Sequence, residues 1–476
     1  MTLNVSEIMA ALPEAAEHET SEPDALRQLV ETLASKRLPT GAVHRLWTLG
    51  TLQAKIAVAY LVYWIRSSYR TADERERLLN ETHLQAAIKL LGGMSYLRGA
   101  FMKVGQTLAN YPTWAPPEFI NTLSHLNFEA PPMHFSLLRE QVRAELGGEV
   151  EEVFAEFDTT AFAAASLGQV HRARLHSGAP VAVKVQYPGI ADAIRSDSRN
   201  LLALLTPMRL SADWDNLRAQ LDDVRKTVEI ETDYCREAEF LKRGRSVFKP
   251  EDGIVVPKVM DELSTKRVLT MEFLEGDLLD RYLMTNPVQE ERDRYGGLIM
   301  RASFRIAHAA KLWYADAHPG NYVFMRDGRL GLIDFGCCRE FSADEWDYYR
   351  QVWKAYMVDD GVGVREAVIR AADLDPTKPF DEEHVRFLTE YSHWWSDYLR
   401  YDQPFDFGDD AVVQRGIEFL TDIPKKRYFR SMPVNTWITR QLLGLRGMLY
   451  RLKARVNMRR LGQEEEWNIL GVHGAS

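Results

Sequence analysis

The stretch DAHPGNYVFMRDGRLGLIDFG, residues 316–336, places two carboxylates and a carboxamide at the ends of two short apolar runs. Asn321 follows Asp316 by five residues, and Asp334 follows Asn321 by thirteen. Asp327-Gly328 is a turn signal that predicts a β-hairpin at the floor of a cleft. The Asp334 carboxylate and the Asn321 amide oxygen are ligands that Mg²⁺ prefers, and Asp316 could orient or deprotonate an attacking hydroxyl or water. The stretch therefore predicts a magnesium-dependent site.

An alanine-rich stretch followed by a lysine is the second motif. Against the pattern G-x-G-x-x-G-x-V, residues 163–170 (AAASLGQV) keep the third glycine and the valine, with alanine at the first two glycine positions. Lys184 follows Val170 by fourteen residues in the run VAVK. A phosphate-covering loop followed by a strand lysine is the arrangement of kinases. The residues predicted to surround a nucleotide here are Ala163, Ala164, Ala165, Ser166, Gly168, Val170 and Lys184.

The two motifs are weak separately and specific together. A surface hairpin with an incidental lysine would also fit the alanine-rich stretch, and D-F-G tripeptides occur by chance. The kinase catalytic loop, however, has the same Asp-to-Asn spacing, and its D-F-G follows on a hairpin. All four parts occur here in kinase order, which predicts Asp316 and Lys184 as catalytic and Asn321 and Asp334 as metal ligands. The alanine Cβ atoms stand where close approach to phosphate favours glycine, so the nucleotide geometry should differ.

Two other parts of the site stay open when only the residues are considered. A kinase lysine needs an acidic partner on a helix, and Glu231, Asp233 and Glu237 lie on a helix-like stretch, where spacing does not choose among them. The run VLTMEFL resembles a hinge, in which the Glu272 carbonyl and the Leu274 amide could bond adenine. Any apolar strand has a similar pattern.

The order of elements predicts an α+β fold with two lobes. VHRARL and VAVKVQ form a predicted hairpin, a helix-like stretch runs from Ile190 to about Phe248, and strands are predicted at 253–259 and 266–273. The chain is mainly helical beyond 277. We therefore divide it into a polar leader (1–40), a helical N-terminal extension (41–130), a sheet-rich N-lobe (131–275) and a helical C-lobe (276–476).

Composition excludes several classes of protein. The net charge of −9 argues against a dedicated nucleic-acid binder. Three cysteines give no disulfide framework and suit a reducing cytosol; adjacent Cys337 and Cys338 fit either small core residues or a redox pair. The first residues lack the pattern of a secretory signal. We expect a cytoplasmic protein, peripheral to a membrane if it contacts one at all.

Two segments leave open a contact with membranes. The apolar run 56–65 has ten residues, too few to span a bilayer, and fits a buried helix or a helix lying at a membrane surface. The segment 425–460 carries eleven Lys or Arg and no acidic residue after Arg427. It fits a solvated basic helix face, or a contact with anionic lipid headgroups or an acidic partner.

The motifs together resemble the UbiB/AarF-like family of atypical kinases. Its K-x-G-Q signature is matched by residues 103–106, and its alanine-rich loop by FAAASLGQVHRA. The runs VAVKVQYPGI, ETDYCREAEF and YADAHPGN with IDFG extend the likeness over about 100–340. The resemblance implies an atypical kinase-like fold with a helical N-terminal extension, Mg²⁺-dependent binding of ATP or ADP, weak ATPase activity and support of isoprenoid-quinone or other lipid metabolism.

The resemblance also implies roles that spacing leaves open. Glu237 is expected to pair with Lys184. Glu231 and Asp233 are expected to face the K-x-G-Q segment, whose Lys103 and Gln106 would lie over the cleft as regulatory residues.

The sequence departs from the family's H-A-D-P-H-P-G-N at two positions, where Tyr314 replaces the first histidine and Ala317 the first proline. His318 fits either a phosphate contact or a structural hydrogen bond. No A-P-E follows the D-F-G, so little room remains for a peptide platform. These features favour a Mg-nucleotide ATPase or a small-molecule or lipid kinase, with a phenolic or isoprenoid lipid as a possible partner. The alternative is a nucleotide-gated scaffold or lipid-extracting accessory protein with slow regulatory hydrolysis.

Overall fold

The computed structural model describes residues 135–165, 167–191, 230–357, 361–371, 382–426 and 433–465. The predicted leader, the N-terminal extension with Lys103 and Gln106, the apolar run 56–65 and the residue Ser166 lie outside the described residues. The helices are α1 (Ser136–Leu146), α2 (Val150–Val153), α3 (Tyr234–Ser246), α4 (Leu279–Met284), α5 (Gln289–Ala309), α6 (Ala343–Met357), α7 (Gly361–Ala371), α8 (Glu382–Arg400), α9 (Asp410–Lys426), α10 (Pro433–Leu452) and α11 (Met458–Glu464).

Short strands form four sheets among the described residues. The strands are β1 (Glu156–Phe157), β2 (Ala163–Ala165), β3 (Gly168–Arg174), β4 (Pro180–Gln186), β5 (Ile254–Val255), β6 (Val268–Glu272), β7 (Leu312–Tyr314), β8 (Tyr322–Phe324), β9 (Leu330–Leu332), β10 (Cys338–Glu340), β11 (Phe405–Asp406) and β12 (Arg455–Val456). The largest sheet has the order β1-β3-β4-β6, with β2 added to β3, and all its pairs are antiparallel.

The two faces of β4 explain how the large sheet is covered. Val181, Val183 and Val185 are buried with residues of α1 and α2 in a small apolar core. Successive residues of a strand face opposite sides of the sheet, so Lys184 and Gln186 share the other face, which is directed toward α3. One strand thus closes the N-lobe on one side and presents polar groups to the cleft on the other.

The C-lobe is built around the long helix α5 and the hairpin β8–β9. The hairpin forms around Asp327-Gly328 as predicted, with Tyr322 opposite Leu332. Strand β5 pairs parallel with β9. The predicted strand 253–259 is divided at Pro257, which has no N–H with which to continue the ladder: Ile254–Val255 belongs to the sheet under the cleft, and Val259 forms an isolated bridge with Met271 of β6.

Two further features were not predicted from the sequence. Strands β7 and β10 pair antiparallel, with Tyr314 opposite Cys338. One apolar core runs from the N-lobe residues Ala182 and Leu269 to the C-lobe residues Leu312 and Leu332.

The mixture of a sheet-rich half and a helical half confirms the predicted α+β class. No helix of the described residues is both long enough and apolar enough to cross a membrane.

Candidate active site

Lys184 is buried and contacts two carboxylates. Its Nζ atom lies 2.9 Å and 3.0 Å from the two carboxylate oxygens of Glu237 and 3.2 Å from Oδ2 of Asp334. Only 6% of the Lys184 side chain and 3% of the Glu237 side chain are exposed, whereas Asp334 is 30% exposed. A buried charge is stable only when it is paired, so this cluster holds the lysine at one place in the cleft.

The start of α3 selects Glu237 from the three acidic candidates. Asp233 caps the helix, because its side chain accepts a hydrogen bond from the Cys235 N–H at 3.1 Å. Glu237 lies one turn further along and points to Lys184, while Glu231 is buried just before the cap. The structure thus brings Glu237 to the lysine and leaves Glu231 and Asp233 in the turn that precedes the helix.

The same turn is held by Gln186, which sequence reasoning did not single out. Its Nε2 donates to the carbonyl oxygen of Thr232 at 2.8 Å. Gln186 is almost fully buried and lies two residues after Lys184 on the same face of β4. Polar side chains at alternate positions of an otherwise apolar strand were the signal for it.

Burial and neighbouring charges have opposite effects on the pKa values of Lys184 and Glu237. Burial raises the pKa of the Glu237 carboxyl to about 7, against the lowering effect of Lys184. Burial alone would lower the pKa of Lys184, but the negative charges of Asp334 and Glu237 hold it well above its ordinary value. The ring of Tyr234 lies under the ammonium group, 5.1 Å from centroid to Nζ, and adds a cation–π contact. The lysine therefore stays protonated, and burial makes Glu237 easier to protonate than an exposed glutamate.

Asp316 and Asn321 lie together on the loop between β7 and β8. Asn321 Nδ2 donates to the backbone carbonyl of Asp316 at 2.9 Å and is 3.4 Å from its Oδ2. His318 uses Nδ1 to accept from the Gly320 N–H at 3.1 Å, which is the structural hydrogen bond considered for it. The amide of Asn321 thus fixes the shape of the loop that carries Asp316 and keeps its own oxygen for another ligand.

The hairpin brings Asn321 and Asp334 to the same end. The Ile333 N–H donates to the Asn321 carbonyl at 3.1 Å, which extends the β8–β9 ladder to the residue before Asp334. Asp334 Oδ1 accepts from the Gly336 N–H at 2.8 Å. The ring of Phe335 is buried and meets Tyr314 edge to face at 5.0 Å. Aromatic packing beneath the loop therefore fixes the direction of the Asp334 carboxylate.

The donor atoms at this end fit a magnesium ion. They are a carboxylate and an amide oxygen, and Mg²⁺ is commonly held by one or two carboxylates together with phosphate oxygens and water. Within the described part of the chain, no group of three or more His, Cys, Asp or Glu residues could hold a metal by itself.

The alanine-rich stretch forms β2, which pairs with β3 so that Ala165 lies opposite Gly168. A Cβ on Gly168 would overlap the carbonyl oxygen of Val185 in β4. The glycine that matches the phosphate-loop pattern is therefore needed for the approach of two strands. Val170 lies opposite Lys184 and packs against the large core. Ala163 is half-buried, and the side chain of Ala164 is outside the described part.

The predicted hinge follows β6. The Glu272 N–H donates to the Lys258 carbonyl at 2.8 Å, so the Glu272 backbone faces the edge of the strand that β4 does not use. Residues two apart present their backbone groups to the same edge, which gives the Leu274 N–H the same direction. Leu274 is buried. The assignment of these two groups to adenine stays a prediction.

Little chain separates the D-F-G from the next helix. Residues 337–342 connect Gly336 to α6, and half of them form β10. Cys337 and Cys338 are both buried, and burial raises the pKa of the Cys338 thiol well above its ordinary value. These thiols are core residues, since a reactive cysteine needs exposure and a lowered pKa.

This geometry is typical of a kinase-like site, and comparisons with known proteins show the family. The model of the ABC1 atypical kinase-like domain matches residues 125–368. The chain belongs to this family, the UbiB/AarF atypical kinases, which confirms the predicted resemblance and enzyme class.

Similar proteins include mitochondrial atypical kinases. COQ8B of Danio rerio is 27% identical over 91% of this chain and 70% of its own length. COQ8 of Saccharomyces cerevisiae is 29% identical over 81% of this chain and 77% of its own length. Among solved structures, the complex of Rv3197 with erythromycin from Mycobacterium tuberculosis matches with a TM-score of 0.56 and 24% identity, over 83% of this chain and 98% of that one. At this identity the last match supports the fold alone.

Proposed function

We propose that the protein binds ATP or ADP with Mg²⁺ and transfers or hydrolyses the terminal phosphate. The observation that carries the proposal is the contact of Lys184 with both Glu237 and Asp334, at the end of the hairpin where Asn321 also lies. Kinase-type catalysis consists mainly of positioning and electrostatic stabilisation, and it needs a lysine held by an acidic helix residue beside the metal-binding aspartate.

Each group then has a role in the proposal. Lys184 contacts the nucleotide phosphates and Glu237 keeps it in place. Asp334 and the Asn321 oxygen would hold magnesium, which neutralises phosphate charge when bound. Asp316 orients the attacking hydroxyl or water and accepts its proton. The strand Ala163–Ala165, with Ser166, Gly168 and Val170, covers the phosphates, and Glu272 and Leu274 bond adenine.

Phosphate release by the Asp334→Asn variant tests this proposal. We expect the variant to lose release of phosphate from ATP while its melting temperature stays close to that of the wild type, because Asp334 is partly exposed and an amide keeps its shape. Asp344→Asn is the matched control, since this carboxylate is exposed at the start of α6. Equal, slow release by wild type and Asp334→Asn would contradict the proposal and favour the nucleotide-gated scaffold.

We further propose that turnover serves isoprenoid-quinone or other lipid metabolism at a membrane surface. The support is the family resemblance and the COQ8 relatives. The basic segment gives little support, because five of its six cations with described side chains pair with carboxylates of the chain and the sixth, Arg459, donates to the Arg400 carbonyl. The five pairs are Arg446 with Asp397, Arg451 with Asp280, Lys453 with Asp410, Arg455 with Asp406, and Arg460 with Glu464.

The lipid proposal is tested by ATP turnover with and without anionic vesicles and isoprenoid phenols. We expect one of these additions to raise the rate in the wild type. A rate that is the same in all mixtures, with no co-sedimentation of the protein with vesicles, would contradict a membrane role and leave the nucleotide proposal in place.

A further inference from the structure

Helix α10 contacts the residues on both sides of Asp316. Its Trp437 lies in a buried apolar cluster with Ala315. Its Gly444 lies against Ala317. Positions seven apart lie on the same face of a helix, so one face of α10 meets the loop immediately before and immediately after the candidate catalytic carboxylate.

The contact at Gly444 leaves no room for a side chain. A Cβ built on Gly444 would lie 2.9 Å from the Cβ of Ala317 and 3.0 Å from its carbonyl oxygen. Real Cβ atoms essentially never approach other atoms more closely than 3.0 Å. Glycine inside a helix costs about 1 kcal/mol relative to alanine, and here it allows the helix to touch the loop backbone.

Trp437 joins the loop to the segment after Asp334. The cluster that holds Ala315 also contains Cys337, three residues beyond Asp334. The guanidinium of Arg339 lies 4.9 Å from the Trp437 ring centroid and pairs with Glu345 at 2.5 Å. One side chain of α10 therefore touches both chain segments that carry acidic groups of the site.

The helix itself is fixed to the C-lobe. Gln441 Nε2 donates to the hydroxyl of Ser303 on α5 at 2.8 Å, and both side chains are buried. Leu445, Met448 and Leu449 belong to the large core. A helix anchored in this way gives the short loop a rigid surface to rest on.

We propose that α10 is the positioning element of the catalytic loop. Gly444 and Trp437 are positioning residues that set the place of Asp316 relative to Asp334. The segment between Gly336 and α6 is short. Support for the catalytic loop therefore comes from α10, which lies later in the chain, through Trp437 and Gly444. The inference rests on the proposed phosphate chemistry, since it says what holds Asp316 in place relative to Asp334.

The test compares two glycines of the same helix. Gly444→Ala pushes α10 and Ala317 apart, whereas Gly447→Ala adds a methyl group into open space, because nothing lies within 4 Å of the Cβ at that position. We expect Gly444→Ala to lower kcat for phosphate release roughly 10- to 100-fold, as expected for a misplaced reacting group, with the nucleotide Kd unchanged. We expect Gly447→Ala to keep the wild-type kcat and Kd.

A second variant tests rescue. Ala317→Gly removes the atom that lies nearest to the new methyl group, so Gly444→Ala should lower kcat less in the Ala317→Gly background than in the wild type. If Gly444→Ala does not fold, Trp437→Phe keeps an apolar ring and should lower kcat without changing the nucleotide Kd.

Two results would overturn the inference. One is a kcat for Gly444→Ala equal to that of Gly447→Ala. The other is a loss of nucleotide affinity that accounts for the whole loss of rate, which would indicate a general structural defect. A wild type that releases no phosphate overturns the proposed function as well, so the two failures are distinguishable.

Discussion

At the scale of single residues, the buried pair of Lys184 and Glu237 determines how the site responds to pH. Lys184 keeps its proton because two carboxylates surround it. Glu237 is buried, and its pKa of about 7 lies well above that of an exposed glutamate. Near neutral pH, a single proton on Glu237 therefore decides whether Lys184 has a charged partner on α3.

We expect the rate of phosphate release to fall as the pH drops through about 7. Protonation of Glu237 removes the charge that holds Lys184, so the lysine is less well placed for the phosphates. Glu237→Gln should lower the rate at pH 8 and remove this acidic limb. A pH profile of kcat from 5.5 to 9, at saturating nucleotide, measures both effects; an acidic limb that persists unchanged in Glu237→Gln would contradict the assignment.

The same proton has a predicted effect on stability. The pKa of Glu237 is raised from 4.5 in the unfolded chain to about 7 in the folded state. Its contribution to the free energy of unfolding is therefore fully present below pH 4.5 and is lost as the pH rises through about 7. The free energy of unfolding of the wild type minus that of Glu237→Gln, measured by urea at several pH values, should therefore become more negative as the pH rises from 4.5 to about 7.

Residue spacing predicted part of this cluster. Lys184, Asp316, Asn321 and Asp334 follow from the order of the motifs, since each motif has a fixed chemical role. Glu237 was not distinguished from its acidic neighbours by spacing, because that choice depends on where α3 begins, and the cap at Asp233 sets the phase of the helix.

At the scale of elements, the hairpin β3–β4 gives the cleft its roof. The pattern of VHRARL and VAVKVQ predicted it, because alternation and a turn between the runs are local signals. The pair β7–β10 was not predicted, since three-residue strands show no period and their pairing joins distant parts of the chain. The close contact at Gly168 was also missed, because a pattern does not report the distance between strands.

We expect Gly168→Ala to destabilise the protein by about 1–3 kcal/mol, the usual cost of overpacking. The added methyl group must push β3 away from the Val185 carbonyl. Gly361→Ala is the control, because that glycine at the start of α7 has nothing within 4 Å of its Cβ position. Urea unfolding of both variants measures the difference, and equal midpoints would contradict the assigned contact.

At the scale of the whole molecule, the two lobes are connected by a strand and by an apolar core that extends through both. Strand β5 precedes β6 of the N-lobe sheet in the chain, yet it pairs with β9 in the sheet under the cleft. The large core extends from Ala182 on β4 to Leu332 on β9. The sequence predicted two lobes from the change in pattern, but it carries no local signal for a parallel strand that connects them.

We therefore expect the sheet that contains β4 and the sheet that contains β9 to unfold as one unit. Native-state hydrogen exchange should give the amides of β4 and of β9 the same opening free energy and the same dependence on denaturant, as for one cooperative unit. Amides of β4 that exchange at a clearly smaller free energy than those of β9 would show that the N-lobe unfolds separately.

The short connection after Asp334 also has a consequence for regulation by covalent modification. Residues 337–342 contain a single hydroxyl group, that of Ser342. It accepts from the Glu345 N–H at 3.2 Å, while the Ser342 N–H donates to the Glu345 carboxylate, which closes a capping box at the start of α6. A phosphate added to this hydroxyl would lie beside the Glu345 carboxylate, which repels it, and would break the capping box. The connection is therefore held in one conformation, by the β7–β10 pairing at one end and by the capping box at the other, and modification of Ser342 would release the second of these.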